Sequence, residues 1–211
     1  TKKMEKIFIF GHKNPVTDSI CSSLIREILD KKNGYTNTEA RRLGKVNKET
    51  QYVLDYLQIE APELLEKVEE GQKVILVDHN EFTQSVEGIE KAEILSVVDH
   101  HRIANFQTSS PLYYTAKPYG CTATILYEEF KQFGHEIDKK EAVLMISAII
   151  SDTLLLKSPT TTKKDEQALK ELSEIAKIDV NTYGIEMLKA GTDLSEFSEE
   201  ELINLDAKKF E

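Results

Sequence analysis

Asp99, His100 and His101 stand directly behind the apolar run Ile94-Leu95-Ser96-Val97-Val98. A run of that composition reads as a buried strand, and three polar groups at its end are costly to bury unless a metal or a partner compensates them. The arrangement recurs, because Ile7-Phe8-Ile9-Phe10 leads to His12 and Val74-Ile75-Leu76-Val77 leads to Asp78. Asp18 opens the helical pattern after the first strand, where a carboxylate also suits the helix N-terminal dipole. Asp152 follows the apolar stretch 145–151. Imidazoles and carboxylates without thiolates favour manganese, iron, cobalt, zinc or magnesium over a structural zinc finger. Two such ions sharing a carboxylate, about 3.5 to 4 Å apart, activate water and clamp phosphoryl oxygens. Hydrolysis of a phosphate ester or anhydride is therefore the chemistry to expect.

Each residue also has an ordinary reading. Asp is a favoured helix cap, and a lone His is often a satisfied core or turn residue. Co-location at strand ends is what argues for a site. His79 is either a ligand or an orienting neighbour of Asp78, and His135, between Gly134 and Glu136 in a polar turn, reads as a surface histidine.

The elements that must position these groups follow from hydrophobic periodicity. Strands are expected over 6–11, 39–43, 73–77 and 94–98, with helices over 17–32 and 48–57 between them. Asn33-Gly34 stops the first of these helices. The second half reads as helices over 122–133, 140–151 and 165–177, with two weaker ones over 179–188 and 198–205. Strands that alternate with helices or crossovers indicate an α/β fold with a mostly parallel sheet and helices on both faces. Ligands of such sheets bind beyond the carboxyl ends of the strands, where His12, Asp78 and Asp99-His100-His101 all lie.

With 211 residues, 40% hydrophobic and 30% charged, the chain is expected to form one substantial core plus an appendage. No apolar run approaches the roughly 18 residues of a membrane span, and a cytoplasmic address is the default. Cys21 and Cys121 lack metal-ligand spacing and read as small buried residues. A net charge of -10 argues against an extended nucleic-acid surface. An anionic ligand would have to be drawn in by local cations, which bound metals can supply.

Four segments together resemble the family II inorganic pyrophosphatases, members of the phosphoesterase superfamily named for its Asp-His-His motif. They are Gly11-His12-Lys13-Asn14-Pro15-Val16-Thr17-Asp18, Val77-Asp78-His79-Asn80, Asp99-His100-His101-Arg102 and Ser151-Asp152-Thr153. The likeness extends over essentially the whole chain, including Gly120-Cys121-Thr122-Ala123-Thr124 and Lys157-Ser158-Pro159-Thr160. It implies an N-terminal DHH-type domain with two manganese or cobalt ions per active site, magnesium entering with the pyrophosphate. By motif position His12 would serve the first metal, Asp18, His100 and Asp152 the second, and Asp78 would bridge them. His101 would face the substrate and assist departure of the phosphate leaving group, with Asp99 behind it as an orienting carboxylate. Lys208 resembles the family's substrate-binding lysine, and pairing of sheet edges into a homodimer is implied as well.

Two departures from the family pattern stand out. The first motif normally carries Asp where this chain has Val16, and that Asp is a ligand of the first metal. Valine cannot coordinate, so the first site is expected to hold its ion more weakly or to complete its shell with water or substrate oxygens. The second departure is length. Family members continue into a C-terminal domain that closes over the substrate with an Arg-Lys pair. Residues 1–191 are thus expected to form the catalytic domain and 192–211 a linker toward the second, with reduced turnover for this chain alone. The alternatives are a related phosphoesterase acting on short oligonucleotides or cyclic dinucleotides, and a non-catalytic metal-binding module that works through a partner.

Overall fold

A computed structural model describes residues 5–192; Lys208, the tail 193–211 and the helix expected over 198–205 lie outside the described residues. Six strands are formed: β1 (Ile7–Phe10), β2 (Thr38–Arg42), β3 (Glu63–Leu64), β4 (Lys73–Val77), β5 (Glu93–Asp99) and β6 (Tyr113–Ala116). The helices are α1 (Thr17–Lys32), α2 (Lys48–Leu57), α3 (Thr122–Gln132), α4 (Lys139–Thr153), α5 (Lys163–Ala176) and α6 (Val180–Ala190). The strands make one sheet in the order β3-β2-β1-β4-β5-β6, parallel throughout. From β1 the chain winds outward to β2 and β3, then returns to lay β4 on the other side of β1. The strand order therefore reverses between β1 and β4, which opens a crevice at their carboxyl ends.

Alternation along the central strands divides two cores. Ile9, Ile75, Val77 and Val98 join a large core to which all six α-helices contribute. Phe10, Val74, Leu76 and Val97 join a smaller one, closed by Leu65, Val68 and Val86 and by the single 3-10 turns Phe82–Gln84 and Ile89–Lys91. Helical turns thus lie on both faces, but unequally: among the described residues the α-helices share one face, and these short turns and loops cover the other. Ala142 to Ile150 of α4 are all at most 1% exposed, which accounts for the broad apolar surface of that segment.

The edge strands β3 and β6 add to the four strands expected from the sequence. Both residues of β3 are exposed, and Tyr113 and Ala116 of β6 are exposed as well, so neither carries the apolar run that marks the central strands. Pairing with β2 and β5 makes them strands, which is tertiary information.

Helix α4 begins at Asp138, whose side chain accepts from the Glu141 N–H at 2.8 Å. It ends in a left-handed run, Leu154, Leu155 and Leu156 at φ 50, 54 and 67°. Non-glycine residues there cost roughly 1–2 kcal/mol each. The run is held by the Leu155 N–H donating to Ile150 O and the Ser158 N–H donating to Thr153 O. It halts the helix just after Asp152, which lies in the last turn of α4 rather than beyond it. Removing the opening cap with Asp138→Ala is expected to lower the unfolding free energy by about 1 kcal/mol. Urea titration checks this, and an unchanged midpoint would show that the cap adds nothing.

Candidate metal centre

Asp78 occupies the centre of the crevice. It follows β4 in a left-handed conformation, φ 59°, and its N–H donates to Val98 O, so the backbone turns sharply while the carboxylate stays 2% exposed. Its Oδ1 lies 3.1 Å from His100 Nε2, and its Oδ2 accepts from Ser19 Oγ at 2.8 Å and lies 3.6 Å from His12 Nε2. Asp18 is fully buried in the first turn of α1, yet the helix terminus it meets is that of α3. Thr122 N–H donates to its Oδ2 at 2.9 Å, and Ala123 N–H and the Cys121 thiol donate to Oδ1 at 3.2 and 3.1 Å. Two backbone donors and the α3 dipole together favour negative charge at that point.

His100 closes the group. Its Nδ1 lies 3.0 Å from the carbonyl of Tyr119, an acceptor, so Nδ1 carries a proton and Nε2 is the atom turned to the carboxylates. That Nε2 lies 3.4 Å from Asp152 Oδ2 and 3.6 Å from Asp18 Oδ2. One ligand atom from each of Asp18, Asp78, His100 and Asp152 fits within 4.8 Å of the others.

The electrostatics describe a site built for a cation. Burial and the Asp18 charge push the Asp78 carboxyl up to about 6. Burial, followed by Asp18 and Asp78, drives Asp152 far upward, whereas Asp18 itself, despite its own burial, is drawn to about 2 by His100 and its hydrogen bonds. Burial would lower His100, but the carboxylates around it prevail and lift it to about 9. Without a metal the cluster must therefore hold protons in its place. Asp152 Oδ2 is buried with no hydrogen-bond partner, the orphan that an ion would satisfy. Three carboxylates and an imidazole suit manganese among other hard or intermediate ions, so the residues fit the group.

The other residues singled out in the sequence take different places. Asp99 and His101 join Asp78 and His100 in a second, overlapping group. Within it the Asp99 oxygens are occupied: Oδ1 by His100 N–H at 2.8 Å and by His101 Nδ1 at 2.7 Å, and Oδ2 by the Asn80 amide at 2.8 Å. Asp99 thus orients His101, whose side chain is 48% exposed on the open side, and the hydrogen bond between them raises the His101 pKa. His12 touches the cluster only through Asp78. Val16 is the N-cap of α1, extended at φ −101° and ψ 175°, and no side chain caps that helix end. His79 lies outside both groups: its ring nitrogens lie 2.9 Å from Val77 O and from Ser85 Oγ, and burial lowers its pKa to about 4. His135 pairs with Asn33, half-buried and away from the site. Both cysteines are buried, and Cys121 additionally serves Asp18.

Beside the cluster opens a cleft of about 720 Å³, whose walls include His12, Lys13, Asn80, His101 and Arg102. Sequence reasoning missed Ser19, the Asn80 amide, and Glu49, which accepts from Thr17 Oγ1 at 2.6 Å and from Ser151 Oγ. The Gly120-Cys121-Thr122-Ala123-Thr124 segment belongs to the family likeness, but nothing in its letters tells that its backbone serves Asp18.

A family model described as "DHH family, N-terminal domain" matches residues 6–149, which sets the class of the fold. A protein of Exiguobacterium sp. named a probable manganese-dependent inorganic pyrophosphatase is 60% identical over 208 residues, covering 98% of this chain and 67% of its own length. The manganese-dependent inorganic pyrophosphatase of Bacillus subtilis is 58% identical with the same coverage. The chain belongs to the DHH family and, within it, to the manganese-dependent inorganic pyrophosphatases. A crystal structure from Methanococcus jannaschii, described as a "putative family II inorganic pyrophosphatase", superposes with a TM-score of 0.81 at 38% identity. That match covers 94% of this chain and 65% of the other, so this chain spans somewhat less than two thirds of that protein. An exopolyphosphatase-related protein from Bacteroides fragilis, TM-score 0.65 at 15% identity over 92% of this chain and 58% of its own, shares the fold alone. Among the described residues no helix is long and apolar enough to cross a membrane.

Proposed function

We propose that this chain carries the metal-binding core for hydrolysis of inorganic pyrophosphate to two orthophosphates. The observation that carries the reading is the convergence of Asp18, Asp78, His100 and Asp152 around a buried carboxylate oxygen that no hydrogen bond satisfies. These four would hold one divalent ion, manganese or cobalt, and Asp78 with His12 would face a second. When bound, such ions supply Lewis-acid charge and make water a nucleophile near neutral pH.

The remaining work falls to the chain's own groups. Water adds to one phosphorus, the P–O–P bond breaks, and the departing phosphate oxygen needs positive charge or a proton. His101, lifted in pKa by Asp99 and open to the cleft, is placed to donate to that oxygen. Lys13 and Arg102 in the cleft wall add positive charge for the anion. We assign Lys208 to substrate binding, magnesium to the incoming pyrophosphate, residues 1–191 to the catalytic domain and 192–211 to the linker. A cytoplasmic address and a homodimer through a sheet edge complete the reading; β6, with Tyr113 83% exposed, is the candidate edge.

Phosphate release from pyrophosphate in the presence of manganese and magnesium tests the proposal, for the chain alone and with a separately expressed C-terminal domain of a relative. Turnover is expected to be slow alone and faster with the added domain. No phosphate in either condition, or release only from short oligonucleotides or cyclic dinucleotides, would overturn it.

A further inference from the structure

We infer that Asp165, outside the coordination of the cluster, is a positioning residue for the metal centre; this rests on the reading above. Asp165 is fully buried near the start of α5. Part of its work is local: with Thr162 it makes a capping box, its Oδ2 accepting from the Thr162 N–H and hydroxyl, each at 2.8 Å. A capping box needs nothing more. Yet the same Oδ2 also accepts from Gly120 N–H at 2.8 Å, and Oδ1 accepts from Thr124 Oγ1 at 2.6 Å. A carboxylate is expensive to bury, and these donors beyond the cap all come from one segment.

That segment is the one the cluster leans on. Tyr119 O fixes the Nδ1 side of His100, Cys121, Thr122 and Ala123 donate to Asp18, and Thr122 Oγ1 lies 3.4 Å from Asp78 Oδ1. Three of the four cluster residues are therefore set by residues 119–123, and Asp165 grips this stretch at Gly120 and at Thr124. The grip leaves no slack, since a Cβ on Gly120 would stand 2.8 Å from Asp165 Oδ2. Glycine is required there by the close approach of the carboxylate. Freed from Asp165, the segment would let His100 turn and Asp18 shift, with all four ligand residues still present. Groups that only orient metal ligands typically matter 10- to 100-fold in affinity.

The test titrates Mn2+ into the full chain and counts free ion by electron paramagnetic resonance, with the His100 Nδ1–H proton resonance of the metal-free protein as a second readout. Asp165→Ala is expected to weaken Mn2+ binding about 10- to 100-fold and to broaden or lose the His100 signal. Gly120→Ala, which disturbs the same contact from the other side, should do likewise and carries the test if Asp165→Ala does not fold. Asp165→Asn should retain most of the affinity, because its amide oxygen still accepts from Gly120 and the Thr124 hydroxyl can turn to accept from its NH2. Thr162→Ala should lower thermal stability and leave both readouts alone. If Gly120→Ala and every folded Asp165 variant bind Mn2+ as the parent does and keep the His100 signal, Asp165 is merely a helix cap and the inference is overturned. A parent chain that binds no Mn2+ overturns the metal reading instead, while the His100 signal still decides whether Asp165 positions that ring.

Discussion

Asp78→Asn is expected to weaken Mn2+ binding by well over about 100-fold, more than the loss typical of residues that merely orient ligands. It is also expected to flatten the pH dependence of the metal-free protein's stability. Asparagine is a fair probe because it tolerates the left-handed backbone at φ 59° and keeps the shape of the side chain. What it removes is the charge shared between His100 and His12. The sign of the pH effect follows from the raised pKa. An ordinary Asp, as in the unfolded chain, titrates near 3.8, whereas burial and Asp18 lift Asp78 to about 6. Below the lower value both states are protonated, and the folded state keeps its full advantage from this group. Between about 4 and 6 the unfolded chain has ionised while the folded one still holds its proton, so stability falls as pH rises and the advantage is gone above 6. The amide removes that slope. Urea unfolding from pH 4 to 8 in chelator reads it, and calorimetric titration reads the affinity. Unaltered Mn2+ affinity in Asp78→Asn would sink the placement of Asp78 at the centre of the site.

Val16→Asp is expected to raise Mn2+ stoichiometry from one ion per chain to two, with the added ion held at least about tenfold more tightly than any second ion on the parent. His12 Nε2 and Asp78 Oδ2 stand 3.6 Å apart, a pair too small to complete the shell of a metal. Val16 lies at the head of α1, two residues before Asp18, and presents no donor. A competing outcome is built into the same position. An aspartate at an N-cap accepts from the first-turn N–H groups and stabilises the helix by about 1 kcal/mol. Higher stability in chelator with no second ion would assign residue 16 to helix capping and overturn its role as a metal ligand. Ion counting by dialysis and atomic absorption, beside an unfolding curve in chelator, separates the two.

The parts of this molecule that sequence made legible are those governed by local pattern. Central strands bear apolar runs, helices show their period, and the polar residues behind β1, β4 and β5 fall where a parallel sheet collects them. The bounds of α1, α2 and β4 were readable to the residue. Edge strands β3 and β6 were not, since exposed strands need no apolar face. The division of labour between Asp99 and Asp78 was readable only through resemblance. Spacing shows two carboxylates at strand ends, and only the hydrogen bonds reveal that Asp99 is already satisfied by His100, His101 and Asn80. Asp165 was legible only as a helix start. Its second function depends on Gly120 lying against it, a contact that no local pattern encodes.

The cluster draws Asp18 from α1, Asp78 from the end of β4, His100 from the end of β5 and Asp152 from α4, elements scattered along most of the described chain. Their ligand atoms meet only after the central strands have paired and α4 has docked. An ion held there therefore acts as a reversible crosslink closing several long loops at once, and it has no comparable site on the unfolded chain. Survival of the protein then becomes a function of free manganese, each tenfold excess over the dissociation constant adding about 1.4 kcal/mol. A cell short of the metal would lose protein to proteolysis as well as losing turnover.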